Sequence, residues 1–307
     1  MFVQRFEKVW HTEERVKEKM KIAAFSGSLI DYSIHEAMKV AAGLGFDGIE
    51  IASREPHLSP ESSLPRVREM RSIAEGHGLE IPALAGYMGH FSTSGDAECA
   101  VAYDQFLGLL ERAVELEADM IRIFQGGPNA FLAEDYHYAK AAYWIRRCAA
   151  EARAAGKRIV LEIHNQSLVE TADSGLRLLD MIGEEHVGLI HDAGNMYITD
   201  TEFGEESIRQ LGSRLFHVHI KDEKRIGQGG APGTFKNVTR HGEEFFLQCR
   251  LGEGEVDHSG VLRGLREQGY KGWLTLECAA PYPPKERLAY DLRIIREWLQ
   301  AVEVSAG

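Results

Sequence analysis

RIVLEIH, from Arg158 to His164, decides the fold. Leu161 and Ile163 alternate with Val160, Glu162 and His164, the period of a strand whose two faces meet different surroundings. The apolar pair should face a layer of helices, and the face carrying Glu162 should face inward. Three later stretches repeat the pattern. In VGLIHD (187–192), Leu189 points outward while Asp192 shares the inner face with Ile190. In LFHVHIKD (215–222), Phe216, Val218 and Ile220 point outward, and His217 and His219 inward. In WLTLEC (273–278), Leu274 and Leu276 go outward, Thr275 and Glu277 inward. Four strands thus each bring an ionisable side chain to one interior, near their carboxyl ends.

Working outward, eight short apolar runs are bounded by Gly, Pro or Asp, the mark of strands. They are Lys21–Phe25, Gly45–Ala52, Glu80–Ala85, Met120–Phe124, Arg158–His164, His186–Asp192, Leu215–Asp222 and Trp273–Cys278. Helix signals lie between most of them. Ser33 and Glu36 form a capping-box pattern ahead of Ile34, Met38 and Ala41. Glu98–Glu117 and Tyr136–Ala155 are periodic, Thr171 opens a segment closed by Gly183, Asp257 can cap Gly260–Gln268, and Arg287–Val302 supplies a final helix. Eight strands alternating with helices predict an α/β protein, a single (β/α)8 TIM barrel over residues 21–302. A polar extension precedes it (1–20, helical from Thr12), and a short tail follows (303–307). An open doubly wound sheet would bring a GxGxxG turn after an early strand, and none is present. After the seventh strand, Glu223–Gly254 is unusually long and should hold a loop and a small hairpin over one barrel mouth.

The 307 residues carry 35 basic against 47 acidic side chains, a net charge of −12. That opposes nucleic-acid binding, which rewards clustered Lys and Arg. At 44% hydrophobic and 27% charged, the chain has material for a full core. No run of 18 apolar residues exists, so no membrane span is expected. The first twenty residues are too charged for a signal-peptide core, and four scattered cysteines form no CxxC. The expected compartment is the cytoplasm.

Three carboxylates converging with an imidazole would repel one another without a cation. Two Glu, one Asp and one His suit Mn²⁺ or Mg²⁺, with Zn²⁺ and Co²⁺ as alternatives. The order VLEIHNQ, LIHDAGN, FHVHIKD, LGEGEVD, LTLE resembles the xylose-isomerase-like barrel superfamily of sugar phosphate isomerases and epimerases, over residues 21–302. The resemblance implies one divalent cation held by Glu162, Asp192, His219 and Glu277, with His217 behind the site or touching substrate. Arg225, six residues after His219, resembles a substrate-contacting arginine of the ketose 3-epimerases. Two positions depart from those enzymes: Asn195 stands where a histidine is common, and Leu168 where a glutamate is.

Further candidates for substrate contact are His57 and His90, in loops after the second and third strands. Glu50 and Lys221 have inward parity, and Tyr87, Phe91 and Trp144 are aromatic candidates. The implied activity is proton transfer on a ketose, aldose or related polyol ketone through an enediolate, with Glu162 and Glu277 as the acid–base pair. Three alternatives stand beside it: a dehydratase acting on an inosose-type cyclic ketone, a metal-dependent abasic-site endonuclease, and a noncatalytic sugar-binding barrel. The expected partners are a small sugar or polyol and further copies of the chain in a homo-oligomer.

Overall fold

A computed structural model of the chain describes residues 19–304. The extension expected over 1–20 therefore lies outside the described residues except for Lys19 and Met20. Of the expected tail, Glu303 and Val304 simply continue the last helix.

The strands in chain order are β1 (Lys21–Phe25), β2 (Gly48–Ala52), β3 (Ala83–Gly89), β4 (Met120–Phe124), β5 (Arg158–Glu162), β6 (Val187–Asp192), β7 (Leu215–Ile220), β8 (Asp222–Ile226), β9 (Thr234–Thr239), β10 (Gly242–Cys249) and β11 (Trp273–Leu276). Eight of them, all parallel, close a barrel in the order β1-β11-β7-β6-β5-β4-β3-β2. The helices are α1 (Ile34–Leu44), α2 (Leu64–Gly76), α3 (Asp96–Glu115), α4 (Asp135–Ala154), α5 (Ala172–Ile182), α6 (Ala193–Ile198), α7 (Glu205–Leu211), α8 (Ser259–Glu267) and α9 (Pro284–Val304). The Ser33–Glu36 capping box opens α1, and Gly45, at φ +89°, closes it. That turn is why the second strand starts at Gly48 and not at Gly45.

Alternation sorts the side chains as expected on most strands. Leu161, Ile163, Leu189, Val218, Ile220, Leu274 and Leu276 join the main core between barrel and helices. Burying each is worth about 1.5–3 kcal/mol. Inside the barrel, Ala83, Met120, Val160 and Ile190 form a separate apolar floor. Phe216 corrects one expectation. The pairing of β6 with β7 slips between Leu189/Leu215 and Ile190/His217, leaving Phe216 as an extra residue. The bulge turns its ring onto the floor cluster instead of the helices. A Cβ at Gly188 would collide with that ring, so glycine leaves it room.

The excursion after β7 is larger than a hairpin: β8, β10 and β9 make a three-stranded antiparallel sheet. Its root is fixed by Asp222, whose carboxylate accepts from the amides of Gly252 (2.8 Å), Gly254 (2.9 Å) and Val256 (3.1 Å). A side chain at Gly254 would strike that carboxylate. Asp222 and the GEGEV piece of the sequence pattern therefore hold each other, and that contact is architecture. Among the described residues, no helix is long and apolar enough to cross a membrane.

Candidate metal centre at the carboxyl ends of the strands

β5 ends on Glu162, β6 ends on Asp192, His219 lies one residue before the end of β7, and Glu277 follows β11. One ligand atom from each lies within 4.8 Å of the other three. His219 Nδ1 is 3.4 Å from Glu162 Oε1, 3.4 Å from Glu277 Oε2 and 3.9 Å from Asp192 Oδ2. That nitrogen is buried and makes no hydrogen bond. Asp192 Oδ2 is likewise without a hydrogen bond, although the Lys221 ammonium stands 2.9 Å away, out of line. Buried polar atoms are normally satisfied. An unpartnered imidazole nitrogen facing three carboxylates is a donor set that fits a divalent cation, and its oxygen-rich character suits Mn²⁺ or Mg²⁺ while admitting Zn²⁺.

Three cationic groups balance these acids. Arg122, inside the barrel on β4, donates from its guanidinium to Glu162 Oε2. Burial works against the charge on Glu162, but Arg122 and His219 outweigh it and hold the carboxyl well below the usual range. Burial likewise opposes ionisation of Glu277, and Lys221 with His219 brings it down to about 2. For Asp192, burial wins over Lys221 with help from Glu162 and Glu277, and pushes the carboxyl up to about 7. Burial disfavours a charged His219, yet Glu50 and Glu162 raise it well above the ordinary histidine value. A cation on Nδ1 would take the place of that proton.

The other sequence candidates divide. His217 is wholly buried behind the cluster, with Nε2 2.9 Å from both Glu50 Oε2 and Thr275 Oγ1, so it does not face a substrate. Asn195 is also turned inward. Its side-chain amide donates to Glu162 Oε1 (2.9 Å) and to the Ile163 carbonyl (3.1 Å), and its backbone N–H donates to Asp192 Oδ1 (2.9 Å). It braces two acids and has no free donor for a ligand. His57 is not brought to the site as a free side chain: its ring nitrogens lie 2.9 Å from Ser26 Oγ and 3.0 Å from the Tyr32 carbonyl. His90 is exposed at the end of β3, its ring 4.8 Å from that of Phe124. Arg225 is engaged by two carboxylates: its Nη2 lies 2.9 Å from both oxygens of Asp200, and its Nε 2.9 Å from Glu244 Oε1. Its guanidinium ties the added sheet to the loop between α6 and α7. Phe91 and Trp144 are core, stacked on one another at 6.2 Å. Tyr87 is 41% exposed, with the Arg122 guanidinium 5.0 Å from its ring centroid.

Sequence reading passed over Arg122. The signal was present: in MIRIF (120–124), Arg122 shares parity with Met120, which lines the floor. The alternation applied to the four ligand-bearing strands puts this arginine inside as well.

The comparisons with known proteins agree with this geometry. Inosose dehydratase of Clostridium botulinum (strain Alaska E43 / Type E3) is 23% identical over 261 residues, 80% of this chain and 82% of that protein. Fructoselysine 3-epimerase of Escherichia coli O157:H7 is 22% identical over 277 residues, 88% of this chain and 94% of that one. Among solved structures, the IolI protein with a bound zinc atom superposes with a TM-score of 0.75 at 17% identity, covering 92% of this chain and 99% of the other. A family model described as the xylose isomerase-like TIM barrel matches residues 38–298. With the closed eight-stranded barrel and that match together, the chain belongs to the xylose isomerase-like TIM barrel family.

Proposed function

We propose that the protein moves a proton at the carbon next to the carbonyl of a sugar ketone or keto-polyol, with epimerisation or aldose–ketose isomerisation as the net result. The observation that carries this is the unpartnered His219 Nδ1 ringed by Glu162, Asp192 and Glu277. A divalent cation held by these four would supply Lewis-acid stabilisation of the oxygen charge that develops as the neighbouring carbon loses its proton.

The residues of the chain divide the remaining work. Glu277 is the more open carboxylate, 19% exposed against 3% for Glu162, and is kept ionised by Lys221 and His219. It is placed to take the carbon-bound proton. Glu162 stands across the site, separated in barrel order by β6 and β7. Arg122 and Asn195 each hold one of its oxygens and fix its direction. Ionised at rest, it delivers a proton only after taking one from solvent, while Glu277 returns the abstracted proton to solvent. Delivery to the same carbon from the other side inverts it; delivery to the adjacent carbon interconverts ketose and aldose.

A second reading is dehydration of a cyclic keto-polyol, and a specific observation favours it. Lys221 Nζ lies 3.3 Å from Glu277 Oε2. Once Glu277 has taken the proton, breakage of the neighbouring carbon–oxygen bond releases a hydroxyl that needs a proton to leave as water, and Lys221 or Glu277 can give it. Two positions that hold hydroxyls in ketose epimerases are also spent otherwise: Asn195 on Glu162, and Leu168 in the core. Similarity to inosose dehydratase supports this reading, and similarity to fructoselysine 3-epimerase supports the first. The nuclease reading loses support because His57 has both ring nitrogens engaged.

One experiment tests both readings. Manganese-loaded protein is incubated in D₂O with a panel of ketoses and inososes and followed by proton NMR. Deuterium entering beside the carbonyl with retention of all hydroxyls supports the first, and an unsaturated or deoxygenated ketone supports the second. No exchange with any member removes both. The homo-oligomer expectation keeps one physical support, the exposed apolar side chains Phe131, Leu132, Tyr136 and Val238.

A further inference from the structure

Glu50, in the middle of β2, is fully buried and lies on the far side of His219 from the three candidate ligand carboxylates. His219 Nε2 is 3.2 Å from its Oε1 and 3.1 Å from its Oε2, while Nδ1 faces Glu162, Asp192 and Glu277. His217 Nε2 reaches the same Oε2 at 2.9 Å, and Thr275 Oγ1 lies 2.9 Å from that nitrogen. All four side chains are inaccessible to solvent. None of these contacts reaches the barrel mouth, so Glu50 is not placed to touch a substrate.

A neutral imidazole has one N–H and one lone pair, and the partner of one nitrogen decides which is which. An ionised carboxylate can only accept. Beneath His219 it therefore selects the form with hydrogen on Nε2, which leaves the lone pair on Nδ1. Carboxylate–histidine pairs of this kind orient ligand imidazoles and raise their basicity. We propose that Glu50 is a positioning residue: by accepting from His219 Nε2 it turns the Nδ1 lone pair toward the candidate metal site, while His217, itself against Thr275, holds Glu50 in register. This rests on the reading that Glu162, Asp192, His219 and Glu277 hold a divalent cation.

The alternative is that Glu50 merely fills the barrel interior, in which case replacing it changes stability but not cation binding. Calorimetric titration of the metal-free protein with Zn²⁺ separates the two. Glu50→Gln offers one acceptor oxygen in place of two and should weaken binding by about 10- to 100-fold; Glu50→Asp, which keeps the charge, should recover part of the loss. Ile190→Val, in the floor, serves as a control that changes packing and should leave affinity unchanged. The second readout is ¹⁵N and proton NMR of the zinc-loaded protein, where His219 should show a slowly exchanging, downfield Nε2–H that shifts upfield and exchanges faster in Glu50→Gln. Wild-type affinity with an unmoved resonance in a folded Glu50→Gln protein overturns the proposal. If the variants do not fold, the wild-type spectrum decides alone, since hydrogen on His219 Nδ1 in place of Nε2 is fatal to the idea. Wild type that takes up no cation is a different result: it removes the metal reading, and this proposal with it.

Discussion

Val160 and Glu162, Ile190 and Asp192, Met120 and Arg122 are pairs two residues apart on the same strands, and they live in opposite worlds. The first of each pair packs into a dry floor closed by Phe216. The second stands one layer higher in a cluster of buried acids and bases. Backbone geometry, strand register and depth from the helices are nearly shared, so the contrast isolates chemistry. The floor contributes stability through apolar contact, and each atom of it is replaceable by one of similar volume. The upper layer costs desolvation, is balanced only as a set, and is sensitive to loss of any single partner.

Four substitutions break or sharpen that contrast. Glu277→Gln should leave the fold intact and lower the rate of carbon-bound proton exchange by about 10²–10⁴-fold, the usual worth of one acid–base group. Metal content must be measured beside turnover, and a variant that keeps both shows that Glu277 moves no proton. Arg122→Met strands the buried Glu162 carboxylate and should cost about 3–5 kcal/mol in urea unfolding of the metal-free protein. Added Mn²⁺ should restore part of that cost, because a cation compensates the same carboxylate; a loss of under 1 kcal/mol would mean the pair is not one balanced set.

Glu223 tests the layer through pH. It is 2% exposed, its Oε2 has no partner, and burial pushes its carboxyl up to about 8. Folded protein then holds a proton that unfolded protein loses from about 4.5, the ordinary glutamate value. Stability due to this group therefore falls as pH rises from 4.5 toward 8. Glu223→Gln has no proton to lose, so its advantage over wild type should open above pH 4.5 and level off near pH 8, reaching a few kcal/mol. Thermal melts across that range check the sign, and a constant difference refutes it. The smallest effect belongs to the floor: Ile190→Val should cost about 0.5–1.5 kcal/mol by thermal melting and leave exchange activity unchanged.

What could be read from the sequence follows from the same layering. Strands with one apolar and one polar face announce themselves, so the alternation predicts the barrel and the convergence of Glu162, Asp192, Glu277 and the His217/His219 pair, while the choice of His219 over His217 is implied by the family resemblance alone. A helix with a narrow buried stripe does not: α2 buries only Val67, Met70 and Ala74 among charged neighbours, too sparse a pattern to read as a helix. α6 and α7, at 6 and 7 residues, are too short to show a period. The bulge at Phe216 depends on register between two strands, which no single strand encodes. Side-chain direction at a polar position is hidden for the same reason. Asn195, His57 and Arg225 have the chemistry of ligand contacts, and the structure spends each on a neighbouring protein group that lies far away in sequence or around a turn.

The Asp222 carboxylate, by receiving the Val256 amide 34 positions later, makes the chain leave the barrel and return to it at one point. Everything between is one closed stitch, tied again to the barrel's loops where Arg225 meets Asp200 and Asn237 meets Asn165. Doubling the length of such a stitch costs only about 0.6 kcal/mol in closure entropy. Length at the far end of the sheet is therefore cheap for the barrel, while its contacts with the loops after β4 and β5 are what any exchange must keep.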